Sequence, residues 1–314
     1  MIIENRYKIT KDSDLLFAKI DISNKLKHSV YHHFFIFAVM EIGTNIIKHA
    51  KEGEIWLLKS DEDYLLAGLD KAKGIKNLEW AMKRGTSTLN SLGLGLYQLS
   101  QNEYFELDIF TSTKQPSGTV VLIKPKKLNK KLIVFSQNYM GLKVSGDFFA
   151  KKGKFFILGD SNGHGIKASK TAEFIKKYFL NNLFSCIFID EFFKKLHNQI
   201  KFNNLRGAVV SIGEINKNRI NICGVGNIDL IYKEKNLIEK KSFKSGIIGE
   251  AFSSSSSYSY TFKNNSQIFL FSDGIDIEKL YNIAKQIDDI YLSVVCAVFY
   301  SERIDDKIIL AIKG

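Results

Sequence analysis

The sequence predicts an α+β fold divided into two domains, and three observations lead to this prediction. The chain has 314 residues, which is about twice the ~150 residues of an ordinary single domain. Residues 124–131 read KPKKLNKK between two strand-like patterns, and a lysine-rich join with a proline is typical of an exposed linker. Beyond it, many short apolar strands alternate with a few helices, as in layered α+β domains. We therefore predict domains at residues 1–126 and 131–314.

Composition indicates a globular protein without a nucleic-acid partner. Hydrophobic residues make up 45% of the chain and charged residues 25%, the balance of an ordinary folded domain. The net charge of +12 divides into +4 for residues 1–130 and +8 for residues 131–314, and no long Lys/Arg block is present. A basic charge spread in this way favours a solvated surface that steers an acidic protein partner over a nucleic-acid site.

The cysteines and the apolar runs predict a cytoplasmic location. Cys186, Cys223 and Cys296 lie far apart in apolar surroundings and lack metal-ligand spacing, so we expect reduced core residues. The first residues do not form a signal peptide, and no apolar run reaches the ~18 residues of a membrane span. We therefore expect no association with a membrane.

Periodicity predicts the elements of the first domain. A mixed segment is followed by a long helix from about Ser29 to Ala50 and, later, by a short helix near Leu94–Gln101. The predicted strands are Glu54–Lys59, Tyr64–Leu69, Tyr104–Phe110 and Gly118–Lys124.

The second domain is predicted to be richer in strands. Its predicted strands are Leu132–Gln137, Lys154–Leu158, Gly207–Ile212, Arg219–Cys223, Asp229–Lys233, Gln267–Phe271, Leu292–Phe299 and Lys307–Ile312. Its predicted helices are Gly165–Phe179, Phe188–Lys201 and Ile277–Ile287. The serine tract Ser253–Ser257 is predicted to be a surface loop.

The first group of candidate residues lies on the predicted helix with the sequence EIGTNIIKHA. Glu41, Asn45 and His49 follow one another at steps of four and so share one helix face. A carboxylate and a carboxamide one turn apart can hold Mg²⁺ through oxygen atoms. The alternative is a solvated polar stripe on an amphipathic helix, which this stretch taken alone favours.

The residues that follow favour a nucleotide site. Strand Tyr64–Leu69 ends in Asp70, whose carboxylate can accept a hydrogen bond from an exocyclic amine, and Gly74 then permits close approach of the backbone. Residues 84–96, RGTSTLNSLGLGL, join a Ser/Thr-rich loop to Gly93 and Gly95 just before a helix. Glycines at a helix N-terminus present free N–H groups to phosphate.

This order resembles the ATPase fold of histidine kinases, gyrase-type ATPases and anti-sigma-factor kinases, and most of all the RsbT-type serine kinase of stressosomes. The resemblance covers about residues 5–125 and implies a two-layer α/β sandwich. It implies that Glu41 is the catalytic base, that Asn45 binds Mg²⁺ and that Asp70 binds the adenine amine of ATP. The nucleotide loops would contain Gly74, Gly93 and Gly95.

One position departs from that family. The family usually has a second glycine in the box after the strand, where this chain has Ala72 between Lys71 and Lys73. Two interpretations follow: the domain is an ATP-dependent protein serine kinase, or it is a binding module that docks a partner.

The second group of candidate residues consists of aspartates at strand ends. They are Asp147 in VSGDFF, Asp160 in FFILGDSNGHG, Asp273 in FLFSDGI, and the pair Asp305 and Asp306. Each could simply form a turn, the usual role of Asp beside Gly. Brought together, such acids repel one another unless cations neutralise them. A site made of oxygen ligands selects Mg²⁺ or Mn²⁺, and two such ions can activate water for attack on a phosphate.

Residues 132–314 resemble the PPM-type phosphatases, in particular their SpoIIE/RsbX branch. The quoted motifs are SGD, the D-x-x-G-H-G run at Asp160–Gly165, CGVGNI at Cys223–Ile228, SDG and the final DD. The resemblance implies a PPM-type β-sandwich flanked by helices and a serine/threonine phosphatase that uses two Mn²⁺ or Mg²⁺ ions and metal-activated water. The implied metal ligands are Asp147, Asp160, Asp273, Asp305 and the backbone carbonyl of Ser161, and the three first-named aspartates are the implied catalytic residues.

Two further residues in these motifs have alternative roles. His164 is either a general acid or a structural residue of the turn before a helix, and Asn227 is predicted to be a turn residue that supports the sheet. Phe148, Phe149 and Ala150 stand where the SpoIIE branch often has another acid. This favours the RsbX-like pattern without a third metal.

Together the two resemblances imply a bifunctional signalling protein. The kinase half would phosphorylate a serine or threonine of a STAS-domain antagonist or scaffold protein, and the phosphatase half would remove that phosphate. The partner would belong to a stress-signalling or sigma-factor regulatory pathway. In the alternative, only the phosphatase is catalytic and the first domain is a regulatory module.

Overall fold

A computed structural model describes residues 1–83, 95–139, 142–183, 189–235 and 237–314. The chain divides into two units, Met1–Lys130 and Lys131–Gly314. Among the described residues, no helix combines the length and the hydrophobicity required to cross a bilayer.

The first unit is built on one antiparallel sheet. Its five strands follow the order β1-β2-β3-β5-β4, so β1 and β4 form the edges. The strands are β1 (Ile2–Ile9), β2 (Gly53–Ser60), β3 (Asp63–Asp70), β4 (Phe105–Ser112) and β5 (Gly118–Pro125). The described helices are α1 (Asp12–Leu26), α2 (His32–Asn45), α3 (Leu78–Ala81) and α4 (Gly95–Ser100), with a π-helical turn at Ile46–Ala50.

Helices α1 and α2 pack on this sheet and build its core. Leu15, Ala18 and Ile22 of α1 are buried at helical spacing together with the apolar face of α2. Gly43 permits this packing, because a Cβ there would collide with Leu15. Likewise Gly68 of β3 leaves room for Ile42 of α2. The helix that carries Glu41 and Asn45 is thus fixed directly on the strand that ends in Asp70.

The π-helical turn corrects one sequence-based expectation. Glu41 and Asn45 remain one α-helical turn apart, but the helix does not continue as an α-helix to Ala50. A π turn closes its hydrogen bonds from i to i+5, so residues four apart no longer share one face, and the predicted alignment of His49 with Asn45 is wrong. His49 instead lies near Asp70, whose pKa it helps to lower against the effect of burial.

The second unit contains two antiparallel sheets, ordered β13-β10-β9-β8-β7 and β12-β11-β14-β15-β6. Its strands are β6 (Leu132–Gln137), β7 (Asp147–Lys152), β8 (Phe155–Ser161), β9 (Ala208–Asn216), β10 (Arg219–Val225), β11 (Asp229–Glu234), β12 (Leu237–Ser242), β13 (Ser256–Thr261), β14 (Ser266–Phe271) and β15 (Lys307–Lys313). Its described helices are α5 (Gly165–Asn182), α6 (Ile189–Phe202), α7 (Ile277–Ala284) and α8 (Ile290–Tyr300).

Alternation along the strands divides the apolar residues of this unit between two cores. In β8, Ile157 packs with helices α5 and α6, whereas Phe156 and Leu158 face the second sheet. In β9, Val210 and Val209 divide in the same way. Successive side chains of a strand point to opposite faces, so these continuous buried runs contribute to the core between the sheets on one face and to the core under the helices on the other. The result is a β-sandwich with helices outside it.

One predicted strand is wrong: Leu292–Phe299 lies within helix α8. The run IYLSVVCAVFY is rich in β-branched and aromatic residues, which favours a strand when read locally. All of its residues are buried, however, and a helix that is apolar all round is typical of a core position. Asp289 begins the helix, since its carboxylate accepts the N–H of Leu292 at 2.8 Å.

Other elements escaped the sequence analysis. These are β1, α1, α3, β7, β12 and β13, the last of which begins at Ser256 within the serine tract predicted to be a loop. In β13 exposed serines alternate with Tyr258 and Tyr260, and Tyr260 stacks on Tyr232. The tyrosines therefore supply the apolar face that makes this polar segment a strand.

Candidate functional site

The four predicted metal-binding aspartates come from two strand pairs of the second unit. Asp147 begins β7 and Asp160 lies near the end of β8, and the two are direct partners in the antiparallel register. Asp273 follows β14 and Asp305 precedes β15, which pair with each other in the other sheet. Directly opposite residues on neighbouring strands point to the same face, so Asp147 and Asp160 face one another.

Two hydrogen-bonded links bring these strand pairs together. Ser272 donates its hydroxyl to Asp147 Oδ2 at 3.2 Å and accepts the N–H of Ile308 at the same distance. Asp306, which is 3% exposed, accepts the N–H of Gly146 at 3.1 Å and the N–H of Tyr139. Ser272 and Asp306, which neighbour the predicted ligands Asp273 and Asp305, thus link their sheet to the start of β7 in the other sheet. The sequence analysis missed this role for both residues.

Asp305 and Asp306, the final pair of aspartates, make different contacts. Both carboxylate oxygens of Asp306 are occupied by backbone N–H groups, whereas Asp305 is partly exposed. Asp305 Oδ1 accepts the N–H of Asp306 at 2.7 Å, which leaves its other oxygen available. These contacts support the sequence-based choice of Asp305, rather than Asp306, as the ligand.

His164 lies at the rim of the aspartate cluster. Its Nδ1 is 3.4 Å from Asp305 Oδ1 and 3.7 Å from Asp306 Oδ2, and its ring stacks on Tyr139 with centroids 4.6 Å apart. The ligand atoms of His164, Asp305 and Asp306 lie within 4.8 Å of one another. Because Asp306 is already saturated by backbone donors, we do not assign these three residues a separate metal site.

Asn227 lies in the bend between β10 and β11, as the sequence predicts, and it also contacts the aspartate cluster. Its Nδ2 donates to Asp273 Oδ2 at 2.8 Å. Arg303 reaches the same residue, donating to the backbone carbonyl of Asp273. The spacing of the motifs gave no signal for either contact, since both partners are distant in sequence.

The loop of the D-x-x-G-H-G run is held by charged residues from outside the motif. Arg206 donates to the carbonyl oxygen of Asn162 at 2.9 Å. Glu250 Oε1 accepts from the Asn162 side chain at 2.9 Å and from the N–H of Gly207 at 3.0 Å. Gly163 has φ +78° and faces the Arg206 guanidinium, so a side chain there would be strained and would collide.

Burial and mutual repulsion raise the pKa values of the clustered acids. Burial raises the pKa of Asp160 to about 8, with further contributions from Asp273, Asp305 and Asp306. The pKa of Asp147 is raised well above its usual range, first by burial and then by Asp160 and Asp306. The pKa of Asp305 is also raised, mainly by burial. Such acids are stable in their ionised form when cations lie among them.

The donor set fits divalent metal ions. Asp147 Oδ1 is buried and, within the described ranges of the chain, lacks a hydrogen-bond partner, although buried polar atoms are nearly always paired. Hard oxygen donors of this kind are the ligands that Mg²⁺ and Mn²⁺ prefer. The orphaned oxygen, the opposed Asp160 and the repelling charges therefore match a metal centre. Asp147, Asp160, Asp273 and Asp305 would hold the ions, together with the carbonyl oxygen of Ser161.

We expect the chelator-treated protein to lose stability as the pH rises from about 4 to about 8. The pKa of Asp160 is about 8 in the folded protein against 3.8 as its usual value, so the folded state holds a proton that the unfolded state has released. Stability is then greatest below pH ~4 for this group, falls between pH ~4 and ~8, where the unfolded carboxyl is ionised and the folded one is still protonated, and levels off above that. Thermal melts across this range, with EDTA or with Mn²⁺, measure the effect. Mn²⁺ should remove the slope and raise the melting temperature; the same slope in both series would contradict the metal centre.

In the first unit the predicted nucleotide residues lie at two places around α2 and β3. Asp70 ends β3 opposite Thr119 of β5. Its Oδ1 accepts the N–H of Ala72 at 2.9 Å, and burial raises its pKa while bonds from Ala72 and Thr119 oppose the rise. Gly74 has φ +67° and leaves no room for a Cβ beside the carbonyl of Ser112. A half-buried carboxylate beside a glycine turn thus occupies this end of the sheet.

Glu41 meets the start of helix α4. A Cβ on Gly95 would collide with the Glu41 carboxylate, so the glycine brings the helix backbone against this side chain. Asn45 is half-buried one turn further along α2. Gly93 lies within residues 84–94, all of which are outside the described residues. Cys186 is outside them as well.

Ala72, the residue that departs from the family pattern, has a backbone conformation that suits alanine. Among the described residues, those with positive φ include Gly74 but not Ala72. Position 72 contributes its backbone N–H to Asp70, which any residue except proline can do. The backbone conformation and the hydrogen bond of position 72 therefore do not require glycine.

Comparisons with known proteins show the fold of the second unit. No family model matches the sequence, and no curated protein matches it. Among solved structures, RsbX in complex with magnesium is 21% identical over 57% of this chain and 92% of its own, with a TM-score of 0.50. A protein described with the bacterial stressosome, a modular system adapted to control secondary messenger signalling, is 20% identical over 58% and 99% of the two chains (TM-score 0.49). The catalytic domain of the phosphatase PstP with 2 manganese ions is 9% identical over 58% and 96% (TM-score 0.45).

The likeness to RsbX shows that this chain contains the PPM phosphatase fold over 57% of its length. That share is close to the length of the second unit, whose two sheets and outer helices form the expected β-sandwich. At this identity the likeness shows the fold alone.

Proposed function

We propose that the second unit is a metal-dependent phosphatase that hydrolyses phosphoserine or phosphothreonine in a partner protein. The observation that carries this proposal is the meeting of Asp147, Asp160, Asp273 and Asp305 at the ends of two strand pairs, with one buried carboxylate oxygen left unpartnered. A fold shared with RsbX supports the same function.

The residues of the site divide the chemistry among them. When bound, two divalent ions supply charge for the phosphate and activate water for in-line attack. Asp147 and Asp160 face each other across β7 and β8 and would fix the positions of the ions. Asn227 orients Asp273 through its amide, and Ser272 orients Asp147 through its hydroxyl. His164, at the rim beside Asp305, would donate a proton to the departing serine oxygen.

For the first unit we propose an ATP-dependent protein serine kinase. Asp70 would accept the adenine amine, Asn45 would bind Mg²⁺ and Glu41 would act as base; Gly74, Gly93 and Gly95 would line the nucleotide loops. The fixed packing of α2 on β3 supports this assignment, since it sets Glu41 and Asp70 in a rigid relation.

The substrate that we propose for both reactions is a STAS-domain antagonist or scaffold protein. A kinase and a phosphatase on one chain act on the same local pool of partner. The state of the partner would then decide which reaction prevails.

Label transfer from γ-labelled ATP to candidate STAS proteins tests both halves. We expect label to accumulate in the partner with Asp147→Ala and to be short-lived with the wild-type chain when Mn²⁺ is present. The wild-type chain should release the label from the isolated phosphorylated partner as inorganic phosphate only when the metal is present. Metal-independent loss of label would contradict the phosphatase.

The same experiment decides the alternative, in which the first unit only docks a partner or a nucleotide. If Asp147→Ala transfers no label to any partner, the kinase assignment is wrong and the regulatory module remains.

A further inference from the structure

A surface groove runs along helix α5, next to the aspartate cluster. It is lined by Val144, Ile166 and Phe174, with Lys170 and Lys177 among them. Ile166 is 71% exposed and lies beside the partly exposed Val144 and Phe174, so the groove offers an apolar surface. We infer that this groove docks an acidic segment of the phosphoprotein substrate that also carries apolar side chains; this inference rests on the phosphatase function proposed above.

The groove starts at the site itself. Helix α5 begins at Gly165, immediately after His164, which lies 3.4 Å from Asp305. Ile166, Lys170, Phe174 and Lys177 follow at steps of three and four, so they form one face of the helix. From Ile166 to Lys177 this face extends about 16 Å at 1.5 Å per residue. A bound strand of about five residues would cover that length.

Charge selects the kind of segment that fits. Lys170 and Lys177 are exposed and form no ion pair within the described part of the chain. The one acid of the lining, Glu173, is already paired with Lys176 at 2.5 Å. Lys143, beside Val144, adds a further exposed positive charge. The groove therefore offers two unpaired ammonium groups between apolar contacts, which complement carboxylates between apolar side chains.

The position of the groove also explains why substrate recognition would be separable from catalysis. None of its lining residues is among the proposed metal ligands or their hydrogen-bond partners. A small phosphate ester would reach the aspartates without touching α5, whereas a phosphoprotein would extend along it. We therefore expect the groove to act on phosphoprotein turnover and not on turnover of a small ester.

Charge reversal on α5 tests this inference. The variant Lys170→Glu/Lys177→Glu is compared with wild type on three substrates: p-nitrophenyl phosphate, an acidic phosphoserine peptide with Leu and Phe flanking its acids, and the same peptide with lysines in place of the acids. We expect kcat/KM for the acidic peptide to fall about tenfold or more, mainly through KM. Turnover of the small ester should stay within about twofold, and the lysine peptide should become the better peptide substrate.

A matched control reverses positive charge at the end of strand β9 that lies away from Asp160. Lys217 lies in the turn between β9 and β10, whereas Asp160 pairs at the opposite end of β9. Lys217→Glu/Arg219→Glu, which also reverses the exposed first residue of β10, changes the net charge as much as the groove variant without touching the groove. It should leave the turnover of both peptides unaffected. An equal loss in both variants would mean that net charge alone acts, which contradicts the inference.

Binding measured without catalysis separates this inference from the phosphatase proposal. Fluorescence anisotropy with the labelled, unphosphorylated acidic peptide should show binding that Lys170→Glu/Lys177→Glu weakens by a similar factor. If wild type hydrolyses neither ester nor peptide with Mn²⁺, the phosphatase proposal fails while the anisotropy still decides the groove. Equal binding by both proteins, or equal binding of a single-stranded DNA of matched charge, would overturn the docking inference.

Discussion

Replacing Asp160 by asparagine should lower the rate of phosphate release from a phosphoserine protein by roughly 10²–10³-fold with Mn²⁺ present. The substitution removes one charged ligand of a pair that faces across β7 and β8. It also removes a charge that raises the pKa of Asp147. The metal-free variant should therefore be at least as stable as the metal-free wild type, so that lost activity with unchanged or raised melting temperature identifies loss of the ligand.

Asp276→Asn is the matched control for this prediction. Asp276 lies three residues after Asp273 and caps helix α7, accepting the N–H groups of Glu278 at 3.0 Å and Lys279 at 3.1 Å. Asparagine caps helices about as well as aspartate, so phosphate release should stay within about twofold of wild type. If Asp160→Asn kept wild-type activity, the assignment of this residue to the metal centre would be wrong.

Replacing Asp70 by asparagine should weaken ATP binding by about 10- to 100-fold. The Asp70 carboxylate can accept from an amine. An asparagine would keep its carbonyl oxygen on the N–H of Ala72, which Oδ1 of Asp70 accepts, and would turn its NH2 group towards the adenine amine, donor against donor. Wild type should also prefer ATP to GTP, because guanine offers a carbonyl oxygen where adenine offers its amine. Isothermal titration with both nucleotides and Mg²⁺ measures the two effects.

Asp63→Asn, at the other end of β3, serves as the control. Asp63 forms an ion pair with Lys127 at 2.9 Å and lies at the start of the strand that Asp70 ends. Surface ion pairs contribute little to stability, so ATP binding should be unchanged. Equal ATP affinity in wild type and Asp70→Asn would contradict the nucleotide site.

Patterns with a local cause could be predicted from the sequence. Most strands were predicted within a few residues because short apolar runs mark them, as in β8 and β9. The PPM fold followed from motifs that place aspartates at strand ends, and the likeness to RsbX confirms that fold. Helix α5 likewise follows the predicted turn of glycines at Gly163 and Gly165, both with positive φ.

Features with a long-range cause could not be predicted in this way. Helix α8 reads locally as a strand, and only burial on every side explains its helical state. The roles of Asp306, Asn227 and Arg206 arise from hydrogen bonds to residues far away in sequence. Periodicity carries no information about such pairs, since it reports a face and not the partner that the face meets.

A titration of the full chain with Mn²⁺ tests the central claim most directly. Free Mn²⁺ is followed by electron paramagnetic resonance while phosphate release from a phosphoserine peptide is measured in the same samples. The proposed centre predicts that activity rises as two equivalents of Mn²⁺ bind, and that Asp160→Asn loses both binding and activity. Phosphate release that is complete before any Mn²⁺ binds, or wild-type binding by Asp160→Asn, would contradict it.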